Sequence, residues 1–223
     1  MLQAGDPPLQ SLVLPRPCLM MVTEPMEPGR LITIVRAAAA GGVNAVQLRD
    51  KTMTTRQFLE TAAVLKSSLP GVLVVVNGCQ DVACCGSFDG VHLPEYIDSL
   101  VQVRLAVGAH RLIGRSVHSL SGAVEAAQKG ADYLVAGTIF VSGSHPDISP
   151  AGVEFLRSLC TEVSLPVLAI GGITPENIAD CVQAGAAGAA VLSALMNAAD
   201  PYSIARKYRS ALEQAWEKLT NGR

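Results

Sequence analysis

The sequence predicts an α/β protein folded as one (β/α)8 TIM barrel, and three observations carry that expectation. Short apolar runs recur along the chain, each followed by a helical pattern, and parallel strands need such crossover connections. No run opens with the glycine fingerprint of a dinucleotide site, which counts against a doubly wound open sheet. Polar residues gather at the carboxyl ends of many different runs, where a barrel has its mouth.

The strand candidates come in order as "CLMMVT", "AVQLR", "VLVVVN", "GVHL", "LIGRS", "YLVAG", "PVLAIGG" and "GAAVLS". Residues 1–17 are rich in proline and predict an irregular tail, leaving 18–219 for the barrel. The tail lacks the charged leader and long apolar core of a signal peptide. Between the strands, i, i+4 spacings give each helix one apolar stripe. Phe58, Ala62, Leu65 and Leu69 form one stripe after Thr54. Leu120, Val124 and Ala127 form another after Ser119, and Ile204, Tyr208, Leu212 and Trp216 a third near the end. No stretch reads as a linker, so one domain is expected.

With 49% hydrophobic and 16% charged residues, the composition is that of a globular protein with ample core. The net charge of -2 and the scattered cations exclude a nucleic-acid stripe. No apolar run is long enough to span a membrane. The six cysteines show no metal-type spacing, and Cys84 and Cys85 are simply adjacent. A reduced, cytoplasmic protein is expected.

In "VQLRDK", Gln47 and Arg49 share one strand face and Val46 and Leu48 the other. Arg49 either pairs with a nearby acid such as Asp50 or Glu24, or binds an anion, because its fork matches carboxylate and phosphate. Lys51 follows in the loop. Asn77 ends the third strand as a turn former or a binding residue. His92 ends the fourth strand, and His110 sits in an exposed turn. In "AIGGITPENIAD", Gly171 and Gly172 make a turn, Thr174 suits an N-cap and Pro175 the first helical position. Leu192 and Ser193 close the eighth strand. Glycine turns and helix N-termini in the last two loops of a barrel commonly hold phosphate. The long loop "GTIFVSGSHPDISPAG" suits a lid or binding loop and contains Ser142, Ser144 and His145. Strand parity places Ser116 and His118 toward the mouth. His118 is then either a packed histidine or one that moves a proton.

As an ordered set, "VQLRDK", "GVHL", "GRSVHS", "GADYLVAGTIF", "PVLAIGGITPENI" and "AGAAGAAVLSAL" resemble the thiamine phosphate synthase superfamily over nearly the whole chain after the tail. The resemblance implies one of two activities. The synthase joins a pyrimidine methyl diphosphate to a thiazole phosphate, using magnesium. Its sister, the thiazole tautomerase, aromatises a carboxythiazole phosphate tautomer without a cofactor. Synthases usually carry Asn-Asp after the third strand, where this chain has Asn77-Gly78. They usually follow the fourth-strand histidine with a glutamine and a second metal-binding aspartate, where this chain has "HLPEYID" with Asp98 one residue out of step. Where synthases carry a lysine in the sixth loop, this chain has Ser142, Ser144 and His145. "NG", "LP" and "IGRSVHSL" resemble the tautomerase branch, whereas Gln47, Arg49 and Lys51 keep the synthase pattern.

These departures lead to the expectation of a tautomerase with no metal and no cofactor. The resemblance to the tautomerase branch implies that His118 is its acid–base residue, and an imidazole with a pKa of about 6.5 suits that role, since it can take one proton and give another. Gln47, Arg49, Lys51, Asn77, Ser116, Ser142 and Ser144 would bind the substrate, with Arg49 facing its carboxylate. Gly171, Gly172, Leu192 and Ser193 would hold its phosphate. The partner is a small thiazole phosphate. A synthase needing magnesium and a non-catalytic thiazole-phosphate binder are the alternatives. The resemblance also implies a homodimer, on which the residues themselves are silent.

Overall fold

The computed structural model describes residues 12–78, 86–96, 100–143 and 149–222. Eight strands close into a parallel barrel in chain order, each paired with its sequence neighbours and the last with the first. They are β1 (Cys18–Val22), β2 (Ala45–Leu48), β3 (Leu73–Asn77), β4 (Gly90–Leu93), β5 (Leu112–Val117), β6 (Tyr133–Gly137), β7 (Val167–Ile170) and β8 (Gly188–Val191). Each falls on one of the eight apolar runs. Among the described residues the helices are α1 (Pro28–Ala40), α2 (Thr55–Ser68), α3 (Leu100–Val107), α4 (Leu120–Gln128), α5 (Gly152–Glu162), α6 (Ile178–Gln183), α7 (Ser193–Met196) and α8 (Pro201–Asn221).

Alternation along the strands sorts side chains into two cores. Leu19, Met21, Val46, Leu48, Val74, Val76, Ile113 and Leu134 point outward and pack beneath the helices. Met20, Val22, Val75, Leu112, Tyr133, Val135 and Leu168 fill the barrel itself. Leu14, in the segment expected to be irregular tail, is buried with that inner group, so the chain is anchored before the first strand begins. The remainder of that tail, up to residue 11, lies outside the described residues.

The helices follow their sequence signals with two corrections. Thr54 caps α2 through a capping box with Gln57, and Phe58, Ala62 and Leu65 are buried as expected. In α4 the buried residues are Ala123 and Ala126, whereas Leu120 is exposed. The larger residues sit at the edge of the contact because small alanines let the helix approach the sheet. Thr174 does not start α6. Its carbonyl accepts the Ile178 N–H, and a turn through Pro175 to Asn177 precedes the helix. The Asn177 amide ties that turn down, accepting from Thr174 N at 2.8 Å and donating to Gly172 O at 2.9 Å.

A repeating device closes the bottom of the barrel. Asn44, Asp89 and Asp132 each sit immediately before an even-numbered strand. Each accepts a backbone N–H from the preceding odd strand, at Leu19 (2.8 Å), Val74 (2.8 Å) and Ile113 (2.6 Å). Lys66 pairs with Asp89 and Arg104 with Asp132, so each carboxylate is also neutralised. Ala187 occupies the matching place before β8 and has no side chain to do this. Arg209 of α8 completes this end, donating to the carbonyls of Gly42 and Pro17. Among the described residues no helix is long and apolar enough to cross a membrane. Cys18, Cys160 and Cys181 are free thiols; Cys84 and Cys85 lie outside the described residues.

Candidate active site

The inward face carries polar groups at the upper ends of β2 to β5. Gln47 is buried, and its Oε1 accepts from Asn77 Nδ2 at 3.1 Å. Asn77 is therefore one member of a strand-end amide pair, not a turn former. Register sets the next group. Asn77 pairs with His92, His92 with Gly114, and Gly114 with Tyr133. His92 lies between two hydroxyls, its Nδ1 at 3.3 Å from Tyr133 Oη and its Nε2 at 2.9 Å from Ser116 Oγ. Burial, reinforced by the positive charge of Arg115, pushes the His92 pKa down to about 3, so the ring is neutral. Burial, together with the charges of Cys18 and Asp132, raises the Tyr133 phenol, which stays protonated.

From the sequence, His92 is read as ending the fourth strand, and Tyr133 is not singled out. One signal was present. Gly114 interrupts an apolar strand, and a strand glycine often marks a close approach. A Cβ there would overlap the Tyr133 ring and crowd His92 Nδ1.

Arg49 and Lys51 stand at the rim. Thr23 fixes the Arg49 backbone, accepting its N–H at 2.8 Å and donating to its carbonyl at 3.2 Å. Asp50 does not pair with Arg49. Burial works against its charge, but hydrogen bonds from Thr52 and Met53 prevail and hold its pKa low. Among the described residues neither the Arg49 guanidinium nor the Lys51 amine has a hydrogen bond or ion pair. A half-buried, unpaired guanidinium favours an anion.

Gly171 and Gly172 both have positive φ, of 94° and 62°. The turn is pressed against Thr138, Phe140 and the Val141 carbonyl, so neither position admits a side chain. Packing and conformation require these glycines whether or not the turn also binds phosphate. Ser193 opens α7, directly after Leu192 and the end of β8. Ser142 is half-buried in the loop after β6, while Ser144 and His145 lie outside the described residues, as does Asp98.

His118 is neither a packed histidine nor inside the barrel. β5 ends at Val117, so strand parity no longer directs the next side chain. It is 63% exposed, with Nδ1 at 2.6 Å from Glu95 Oε2. Glu95 in turn lines a cavity of about 210 Å³ with Arg115, Ser119 and Lys129, on the outer side of the sheet between α3 and α4. His110 is exposed, as expected.

Among the described residues no group of three or more His, Cys, Asp or Glu is placed to hold a metal ion. What the mouth does assemble is a neutral hydrogen-bonding floor (Gln47, Asn77, His92, Ser116) below two rim cations. Such an arrangement is chemically suited to an anionic ligand.

Known proteins resemble the chain in both sequence and fold. The family described as thiamine monophosphate synthase matches residues 19–195. A thiamine-phosphate synthase from Chloroflexus aurantiacus is 40% identical over 188 residues, covering 83% of this chain and 87% of the relative. Another, from Syntrophomonas wolfei, is 41% identical over 191 residues, covering 84% and 90%. A solved thiamine phosphate pyrophosphorylase from Pyrococcus furiosus superposes with a TM-score of 0.80 at 33% identity, covering 90% of this chain and 98% of that one. These relatives overturn the tautomerase expectation: they are named for a transferase, not an isomerase. The acid–base role expected of His118 was tied to the tautomerase reaction and is not carried forward, and the cofactor-free expectation was tied to the same reaction, with magnesium expected only for a synthase. The chain belongs to the thiamine monophosphate synthase family.

Proposed function

We propose that this protein joins a pyrimidine methyl diphosphate to a thiazole phosphate to give thiamine phosphate. The observation that carries the reading is its 40–41% identity, over more than four-fifths of the chain, to proteins named thiamine-phosphate synthase. The mouth supports it. The coupling forms a C–N bond to the thiazole nitrogen and breaks the C–O bond to diphosphate, which leaves with the electron pair. No proton need be taken from carbon, so the reaction asks for anion binding and orientation more than for a base. Arg49 and Lys51 face the diphosphate. The Gly171-Gly172 turn with Leu192 and Ser193 receives the thiazole phosphate. Gln47, Asn77 and Ser116 orient the rings, and Ser142 contributes from the loop after β6.

The family implies magnesium, and the described residues do not fit it. Mg²⁺ usually takes one or two carboxylates besides substrate phosphates. Asn77 is followed by Gly78, and Glu95 is engaged by His118. No step is therefore assigned to the metal. The substrates are small molecules, the reduced thiols suit a cytoplasmic enzyme, and the family resemblance implies a homodimer.

The test is direct incubation of the purified protein with both substrates, with and without magnesium. We expect thiamine phosphate at roughly 1 per second or faster, an ordinary enzymatic rate. Tight binding of thiamine phosphate with no coupling under either condition would overturn the reading in favour of a non-catalytic binder.

A further inference from the structure

The buried chain Tyr133–His92–Ser116 has a direction, and its partners fix it. Tyr133 is fully buried, and among the described residues its hydroxyl has one hydrogen-bond partner, His92 Nδ1. His92 is equally enclosed, and its other nitrogen meets Ser116 Oγ. A neutral imidazole donates from one nitrogen and accepts at the other. With the proton on Nδ1, that N–H would donate to the Tyr133 oxygen and leave the phenolic proton buried without an acceptor, which is costly. With the proton on Nε2, both links are satisfied. Tyr133 O–H donates to Nδ1, and Nε2–H donates to Ser116 Oγ.

We infer that Tyr133 is a positioning residue that acts through His92 to hold the Ser116 hydroxyl as a hydrogen-bond donor aimed into the barrel mouth. Because Ser116 Oγ already accepts from His92, its own proton is released toward the mouth, where a ligand lone pair can receive it. Ser116 faces inward, one strand repeat above Gly114 on the same face, and it is the only half-exposed member of the three. The ligand at that point presents an acceptor, a ring nitrogen or a phosphate oxygen, not a donor. Gly114 is what allows the relay, since any side chain there would push Tyr133 and His92 apart. The identity of that ligand rests on the synthase reading; the direction of the relay does not.

Two measurements test it. Long-range ¹H–¹⁵N spectra of the intact labelled protein, with the His92 signals assigned by their loss in His92→Gln, report which ring nitrogen carries the proton. We expect Nε2–H, unchanged between pH 8 and pH 5. An Nδ1–H tautomer or an imidazolium overturns the inference. Calorimetric binding of thiamine phosphate then follows a double-mutant cycle. Tyr133→Phe and Ser116→Ala should each weaken binding about threefold to tenfold, the range of one net hydrogen bond. The double variant should bind no worse than Ser116→Ala alone. Additive losses would mean that Tyr133 acts by packing and would overturn its positioning role. Should thiamine phosphate not bind, the proposed activity fails while the tautomer measurement still decides the relay. That measurement is made on the unmutated chain, so it stands even where Tyr133→Phe does not fold.

Discussion

His92 makes the protein sensitive to acid through one side chain. The folded barrel keeps the ring neutral down to about pH 3, whereas the unfolded chain takes up a proton at about pH 6.5. Below that unfolded value the unfolded state binds the extra proton, so stability falls on acidification and recovers as the pH rises. The slope approaches about 1.4 kcal/mol per pH unit between pH 6 and pH 4. Urea unfolding of the parent and of His92→Gln at pH 7, 6 and 5 checks this, and the variant should lack that part of the slope. At this scale the sequence shows residue types and strand parity but not where a strand stops. Parity places Gln47 and Ser116 correctly on the inner face, because they lie on their strands. It fails at His118, one residue beyond β5, where Glu95 captures the imidazole. The partner that makes His92 informative is Tyr133, 41 residues away, and only the barrel's register brings the two together.

Among the elements, the strands are the most legible, because a fully buried strand is a continuous apolar run. Helix starts are legible where a side chain does the capping. Thr54 and Gln57 cap α2 reciprocally, with Thr54 N donating to Gln57 Oε1 at 3.0 Å and Gln57 N to Thr54 Oγ1 at 3.3 Å. Thr54→Ala should cost about 1 kcal/mol, measured by chemical denaturation, and leave ligand affinity unchanged. The start of α6 is misread from sequence because Asn177 organises the turn from the far side, a bond the Thr-Pro pair does not announce. The Gly171-Gly172 turn is legible as a turn but ambiguous in purpose. Any substitution at Gly172 meets the Val141 carbonyl, so a loss of phosphate affinity in such a variant would report damage to the turn. The tautomerase expectation fails at this scale too. It weighs a few loop positions near residues 78, 94–98 and 142–145, and loops vary on a constant scaffold more freely than the strands that carry the family likeness.

Over the whole molecule, barrel closure depends on contacts the sequence gives no hint of. Arg209, only 7% exposed, reaches from α8 to the Gly42 and Pro17 carbonyls, 167 and 192 residues away. Its Nε and one terminal nitrogen both address Gly42, a fork that lysine cannot reproduce. Arg209→Lys should therefore destabilise the protein by about 2 kcal/mol, read as a shift in the urea midpoint without a change in slope.

The bottom-face stitches at Asn44, Asp89 and Asp132 join strands two by two, never across the boundaries between pairs. These stitches thus group the strands in twos, three pairs sewn by such a side chain and the fourth, β7–β8, without one. A chain divided at residues 108–111 keeps every stitch inside one fragment. The Arg104–Asp132 ion pair then spans the cut as a clasp between two half-barrels. A division at residues 41–43 would instead part Asn44 from the strand it holds. The places where this protein can be split and reassembled are therefore set by which strand each of three side chains reaches back to.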